Sequence, residues 1–223
     1  MTTPEEVQLR EVHNRAELSP VTIQRLVELH EQAFPPEEQQ FTMELMLDRT
    51  GADGFRLLVA TLDEQFAGYL FLQVRPQQGA GFLWYMAIEE HLRNRGIGGE
   101  VVRQTLAKVR REDPQVQIVL LESHRSNKDD PSHDPAIDAR RIELYRRLGA
   151  WHARGIDYGL PAKDAPSRLL HYEILFFSLR GLPDREQIRE TISGMMRSNF
   201  PEGDERVQPM LRSLEKLELV PPP

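Results

Sequence analysis

The 223-residue sequence contains no cysteine. That one absence excludes a disulfide framework, a thiolate nucleophile and a cysteine-rich zinc site. Long apolar runs are missing too. The longest are far too short to span a bilayer, so no membrane partner is expected. Basic residues are outweighed, with 28 Lys and Arg against 35 Asp and Glu, for a formal net charge of −7. Such a chain is not built to hold nucleic acid through bulk attraction to phosphate. The acidity is compatible with a cationic or amine-bearing acceptor, and solubility alone explains it as well. The opening MTTPEEVQLREVH lacks a basic region followed by an apolar run. No secretory signal is expected, and a cytoplasmic protein is the default.

What is present reads as one large domain, or one domain with an appendage, since 39% hydrophobic residues can bury a sizeable core. VQLREVH alternates as a strand. Ser19-Pro20 opens a helix carrying Ile23, Leu26, Val27 and His30, and TMELMLDR forms a second, short one. FRLLVATL and FAGYLFLQV are strands joined at Asp63-Glu64-Gln65, and GFLWYMAI is apolar on both faces, as a central strand is. A glycine loop and a helix bearing Val101, Val102, Leu106 and Val109 follow. Then come the strand PQVQIVLLES, the helix AIDARRIELYRRLG, and the strands WHARGIDYG and LLHYEILFFSL. The order is β-α-α-β-β-β-α-β-α-β-β, a mixed α/β sheet with helices against it. Beyond Gly181-Leu182-Pro183, two apolar stripes (Ile188, Ile192, Met195, Met196, then Val207, Leu211, Leu214, Leu217) predict two helices and a frayed LVPPP end. The expected organisation is a domain over residues 1–181 with a helical extension over 182–223.

The chemistry concentrates in HLRNRGIGGEVV, between the central strand and its helix. Glycine is poor helix material, and arginines ahead of a helix oppose its macrodipole, so both call for an anion. Unpaired N–H groups at a helix start bind phosphate, and glycines let it approach. The dinucleotide fingerprint fails, because its third glycine would fall on Val101. A P-loop fails because Glu100 and Val101 follow Gly99. The bland alternative is a surface turn with solvated arginines.

Arg93-Asn94-Arg95-Gly96-Ile97-Gly98 does fit Arg-x-x-Gly-x-Gly, which resembles the pyrophosphate signature of GNAT-type N-acetyltransferases. ARRIELYRRLGAW resembles that family's later motif, a helix with Tyr145 closing at Gly149; Asp138, Arg141 and Ala150 stand where the family often has Asn, Ala and Phe. LLES, RRIELYRRLGA and DYGLP resemble one bacterial branch. The resemblance spans residues 7 to 180 in element order. It implies a GNAT-like sheet with splayed central strands, and acetyl-coenzyme A as co-substrate with no metal. Met86, Ala87, Ile88, Arg93, Asn94, Arg95, Gly96, Ile97, Gly98 and Gly99 would bind it, with the N–H of Ala87 or Ile88 as oxyanion donor.

On the same resemblance, Tyr145 is the general acid, protonated at neutral pH because a phenol titrates at about 10. The alternative is a core anchor. Glu122, where VLLE leaves the sheet, is the preferred general base; a capping carboxylate or a partner for Arg141 is the equal alternative. Glu89 and Glu90 rank lower, and Trp84 and Tyr158 either line an acceptor pocket or fill core. In HRSNKDDPSHDP, His124, Asp129, Asp130, His133 and Asp134 match no standard metal spacing and read as a substrate-side loop. The extension packs on the core, forms a homodimer contact, or covers the acceptor cleft. The function expected is acetyl transfer from acetyl-coenzyme A to a primary amine, on a small molecule or on a protein lysine or N-terminus. The alternative is a non-catalytic acyl-coenzyme A-sensing module of the same fold.

Overall fold

The computed structural model describes residues 6–125 and 135–223. It has a mixed α/β fold, and ahead of Gly181 the elements follow in the order the sequence predicts. By their own contacts the residues form two compact units. One is Met1–Pro76 with Gly81–Pro114, the other Gln77–Ala80 with Gln115–Pro223.

In the first unit the strands lie in the order β1 (Val7–Val12), β2 (Phe55–Leu62), β3 (Gln65–Arg75), β4 (Ala80–Ile88). β1 runs antiparallel to β2, and β2 to β3. Asp63 and Glu64 make the β2–β3 turn with φ of 48° and 65°. Two positive φ values are the sign of a type I′ turn, whose twist matches that of the strands it joins. Helix α1 (Pro20–Ala33) starts where Ser19 accepts from the Thr22 N–H, and α2 (Met43–Arg49) where Thr42 accepts from Leu45. Their apolar faces, with Leu26, Leu29, Met43, Met46 and Leu47, bury against Leu57, Val59, Tyr69 and Phe71. Buried His30 fastens the 35–41 stretch to this core: Nε2 donates to the Phe41 carbonyl at 3.0 Å, and Nδ1 meets the Tyr69 hydroxyl at 2.6 Å. α3 (Ile97–Glu112) buries Val101, Val102, Thr105 and Val109. Lys108 holds it to Glu11 of β1 at 2.9 Å.

One glycine shapes the end of β4. Pairing slips between Ala60 and Thr61, opposite Gly68 and Phe66, which leaves Ala67 as an extra residue in β3. The Ala67 carbonyl then accepts from the Glu89 N–H at 2.9 Å. A Cβ on Gly68 would stand 2.3 Å from the Ala87 carbonyl oxygen. Only glycine lets β3 come that close.

The second unit orders its strands β5 (Ile118–His124), β7 (Leu169–Ser178), β6 (Trp151–Pro161), β8 (Glu218–Val220), with α4 (Pro135–Arg147), α5 (Arg185–Ser198) and α6 (Val207–Ser213). Its pairs are antiparallel, as in Glu122↔Ile174, Ala153↔Ile174 and Ala153↔Leu219. The 182–223 stretch differs from its prediction in one respect. α5 buries the expected Ile188, Ile192, Met195 and Met196, but the second helix ends at Ser213. After a 3-10 turn at Leu214–Lys216 the chain extends, and β8 pairs with His152–Arg154 instead of fraying. Pro221 to Pro223 keep the last turn from returning to helix, and an edge strand tolerates them.

Candidate functional site

Between β4 and α3 the backbone curls through two left-handed residues, Asn94 (φ 62°) and Gly96 (φ 81°). Gly96 is the N-cap of α3 and offers no side chain to it, whereas Ser19, Thr42 and Asp184 cap α1, α2 and α5. The Glu100 N–H already bonds the Gly96 carbonyl at 3.1 Å. The N–H groups of Ile97, Gly98 and Gly99 precede it, where helix geometry supplies no acceptor. Room in front of them is kept by glycine. A Cβ on Gly96 would meet nothing within 4 Å, and one on Gly98 would meet only Ile88 and Met86 side chains at 3.6 and 3.8 Å. Arg93 is exposed and, among the described residues, spends only its Nε, donated to the Ile88 carbonyl at 3.0 Å. Glu100, the acid of the first turn, is tied along the helix to Arg103 at 2.8 Å and Gln104 at 3.0 Å. Open donors, a partial positive charge and a nearby guanidinium are the features by which a helix start can take a phosphate group.

In the second unit Glu122 is half-buried on β5. The Tyr158 hydroxyl donates to its Oε1 at 2.6 Å. Asn199, at the C-cap of α5, donates its amide to that hydroxyl at 2.8 Å and to Oε1 at 3.4 Å. Burial pushes the Glu122 carboxyl up to about 7, against the two hydrogen bonds, which lower it. Burial, with the Glu122 charge beside it, raises Tyr158 well above the ordinary phenol range, so Tyr158 keeps its proton and stays the donor. A carboxyl poised near neutrality is what general base chemistry needs.

Tyr145 belongs to α4, and its ring meets Phe177 edge-on, with centroids 6.4 Å apart. Phe177 pairs with Val119, and Ile174 pairs with Glu122. Phe177 and Ile174 are three positions apart, an odd number, so strand alternation puts the Tyr145 contact and Glu122 on opposite faces. The Tyr145 hydroxyl has no hydrogen-bond partner among the described residues and is not one of the buried atoms left without one. Burial raises its proton affinity further.

The Acetyltransferase (GNAT) family model matches residues 23–150. The chain belongs to the GNAT acetyltransferase family. Membership implies an acyltransferase. Solved structures carry the same fold. A GNAT-family protein from Bacteroides thetaiotaomicron is similar with a TM-score of 0.65 and 20% identity, over 86% of this chain and 96% of that one. The ribosomal-protein-S18-alanine N-acetyltransferase of Escherichia coli gives 0.55 and 15%, over 80% and 97%. An aminoglycoside 6′-N-acetyltransferase complexed with coenzyme A gives 0.56 and 14%, over 79% and 99%. No curated protein matches the sequence.

In this GNAT chain the residues singled out by sequence fall as follows. Arg93 to Gly99 form one continuous loop and helix start, and Gly98 faces Met86 and Ile88 of β4. Glu89 is paired with Arg25 of α1 at 3.0 Å, and Glu90 is exposed. Trp84 packs on Phe41 at 4.9 Å, with its indole N–H buried and unpartnered. Arg141 lies 3.8 Å from Asp138 and is not paired with Glu122 among the described residues. Of the HRSNKDDPSHDP ligand set, Asp129, Asp130, His133 and Asp134 lie outside the described residues. His124 is buried, 3.2 Å from Asp138. Among the described residues no three acidic or histidine side chains stand where they could hold a metal, and no helix is long and apolar enough to cross a membrane. Asn199 escaped the sequence reading. No local signal marks it, because its partner Glu122 is 77 positions away.

Proposed function

We propose that the protein is an N-acetyltransferase that moves an acetyl group from acetyl-coenzyme A to a primary amine. The observation that carries this is the half-buried Glu122, held near neutrality by its surroundings in a chain of the GNAT family. Acetyl-coenzyme A supplies a thioester whose C–S bond breaks as the acceptor N–C bond forms. The diphosphate fits the start of α3: the N–H groups of Ile97, Gly98 and Gly99 and the guanidiniums of Arg93 and Arg95 supply donors and charge. A backbone N–H of Ala87 or Ile88 steadies the charge that develops on the carbonyl oxygen. Glu122 takes a proton from the acceptor ammonium so that the neutral amine can attack, and Tyr145 gives one to the departing sulfur and is restored by the proton the new amide nitrogen sheds. Burial brings the Glu122 carboxyl to about 7, where it can take up a proton at neutral pH.

Thermal unfolding with acetyl-coenzyme A, with ATP and NAD as controls, tests the donor. A specific ligand at one hundred times its Kd adds about 2.7 kcal/mol, or roughly 5–10 °C for a chain this size. Acetyl transfer to a panel of amines, including spermidine and a peptide with a free N-terminal alanine, tests the reaction. An equal shift with ATP, or turnover with none of the panel, sinks the proposal.

A further inference from the structure

Asn199 sits where nothing about the backbone asks for asparagine. Its φ of −89° and ψ of −1° suit any L-residue, and the cap is closed by its backbone N–H on the carbonyls of Met195 and Met196. The side chain points elsewhere, with the amide on the Tyr158 hydroxyl at 2.8 Å and on Glu122 Oε1 at 3.4 Å. Tyr158 in turn donates to the same Oε1 at 2.6 Å. Two of the three bonds end on Oε1, and the third ties the Asn199 amide to the phenol that shares that oxygen. Glu122 Oε2 has no partner among the described residues and is not one of their buried, unpartnered atoms.

We propose that Asn199 is a positioning residue for the general base: with Tyr158 it locks Oε1 of Glu122 and leaves Oε2 as the oxygen that meets the acceptor amine. The inference rests on the reading of Glu122 as base. A carboxylate bonded on neither oxygen turns freely about its last torsion, which is broad and shallow. Fixing one oxygen removes that freedom and aims the other, which is how a reactant is held close to its attack geometry. It also gives residues 182–223 a part in the chemistry, since the last turn of α5 delivers the amide. The titratable neighbours are few. They are Tyr158 on β6, Tyr172 on β7 with its ring 6.3 Å from that of Tyr158, and His124 on the strand of Glu122 itself, paired with Asp138 of α4. No lysine or arginine is paired with Glu122 among the described residues.

The test is a ¹³C NMR titration of the glutamate carboxyls of the full chain, with the Glu122 signal assigned by its loss in Glu122→Gln. In Asn199→Ala the midpoint is expected to rise by about one pH unit, a tenfold change in proton affinity. Near-isosteric Asn199→Asp, which serves should truncation unfold α5, places a second carboxylate at the same oxygen and raises it further. With acetyl-coenzyme A and spermidine, the acidic limb of kcat/KM should move up with the midpoint, and part of the Asn199→Ala loss should persist at high pH, where Glu122 is ionised but no longer aimed. A purely structural residue would lower the rate without moving the acidic limb or the carboxyl midpoint. A wild-type midpoint in both variants overturns the inference. Unchanged turnover in Glu122→Gln overturns instead the reading of Glu122 as base, and the two failures are read on different signals.

Discussion

Tyr158 of β6 and Glu122 of β5 reach each other across β7, and the phenol donates to the carboxylate at 2.6 Å. The pair is unequal. Burial raises the proton affinity of both groups, but Tyr158 is carried further from neutrality while Glu122 is brought to it. Proton exchange in the ordinary pH range therefore belongs to Glu122, and Tyr158 acts as its fixed donor.

Stability should record this. Glu122 ionises at the ordinary glutamate value of 4.5 when unfolded and at about 7 when folded. Between those values the folded chain keeps a proton that the unfolded chain has lost, so this group costs stability progressively as pH rises through the window, and no more above it. Glu122→Gln cannot ionise. Its stability relative to wild type should therefore improve from about pH 4 to a plateau above about pH 7, by up to about 3 kcal/mol. Calorimetry across that range checks it, and parallel pH–stability curves for the two proteins would refute it.

Tyr145→Phe separates a proton donor from a core anchor. The ring contact with Phe177 survives the change, and the lost hydroxyl has no partner among the described residues. Stability should stay within about 0.5 kcal/mol of wild type. Turnover should fall roughly 10²-fold or more, as general acid catalysis is worth. If kcat is unchanged at equal stability, Tyr145 is packing and nothing else.

At the start of α3, Gly98→Ala sets folding against binding. The new methyl would rest at 3.6 Å from Ile88 and 3.8 Å from Met86, ordinary contacts, and alanine is the better helix former. The variant should fold as well as wild type or slightly better. The same methyl stands at the helix N-terminus where phosphate needs a close approach to N–H groups, so affinity for coenzyme A should drop about tenfold or more. Thermal unfolding measures the stability and titration calorimetry the affinity. Equal affinity would mean that phosphate is held elsewhere.

Much of this was legible because local chemistry and global fold agree. Ser19-Pro20 wrote a capped helix start, Asp63-Glu64 a hairpin, and the glycines after His91 an uncapped helix that invites an anion. Tyr158 was legible as a strand residue but not as a partner of Glu122. Ala153 and Tyr158 are an odd number of positions apart and would face opposite ways in a regular strand. The bulge changes that, since pairing steps from Ala153↔Ile174 to Tyr158↔Tyr172 and returns both to one face. Three-residue β8 was hidden for a different reason. It is too short to show alternation, and its pairing with β6 depends on a bend that neither segment signals alone.

That bend is testable at Gly155. Its φ is +80°, inside the β6 bulge, and a Cβ there would fall 2.3 Å from the Lys216 carbonyl oxygen. Backbone cannot swing aside as a side-chain tip can. Nearby, the Asp157 N–H donates to Ser213 Oγ at 3.0 Å, so the bulge and the 213–216 turn are docked at two points. Gly155→Ala should cost about 2–4 kcal/mol, from left-handed strain and the clash together. Gly181→Ala is the control: its φ is +96° but a Cβ would meet nothing within 4 Å, so it should cost only about 1 kcal/mol of strain. Hydrogen exchange should localise the difference. Amides of β8 and its partners His152–Arg154 should lose protection in Gly155→Ala and keep it in Gly181→Ala. Equal cost and equal protection in the two variants would mean that the approach of Lys216 to Gly155 does not hold the C-terminal strand in place.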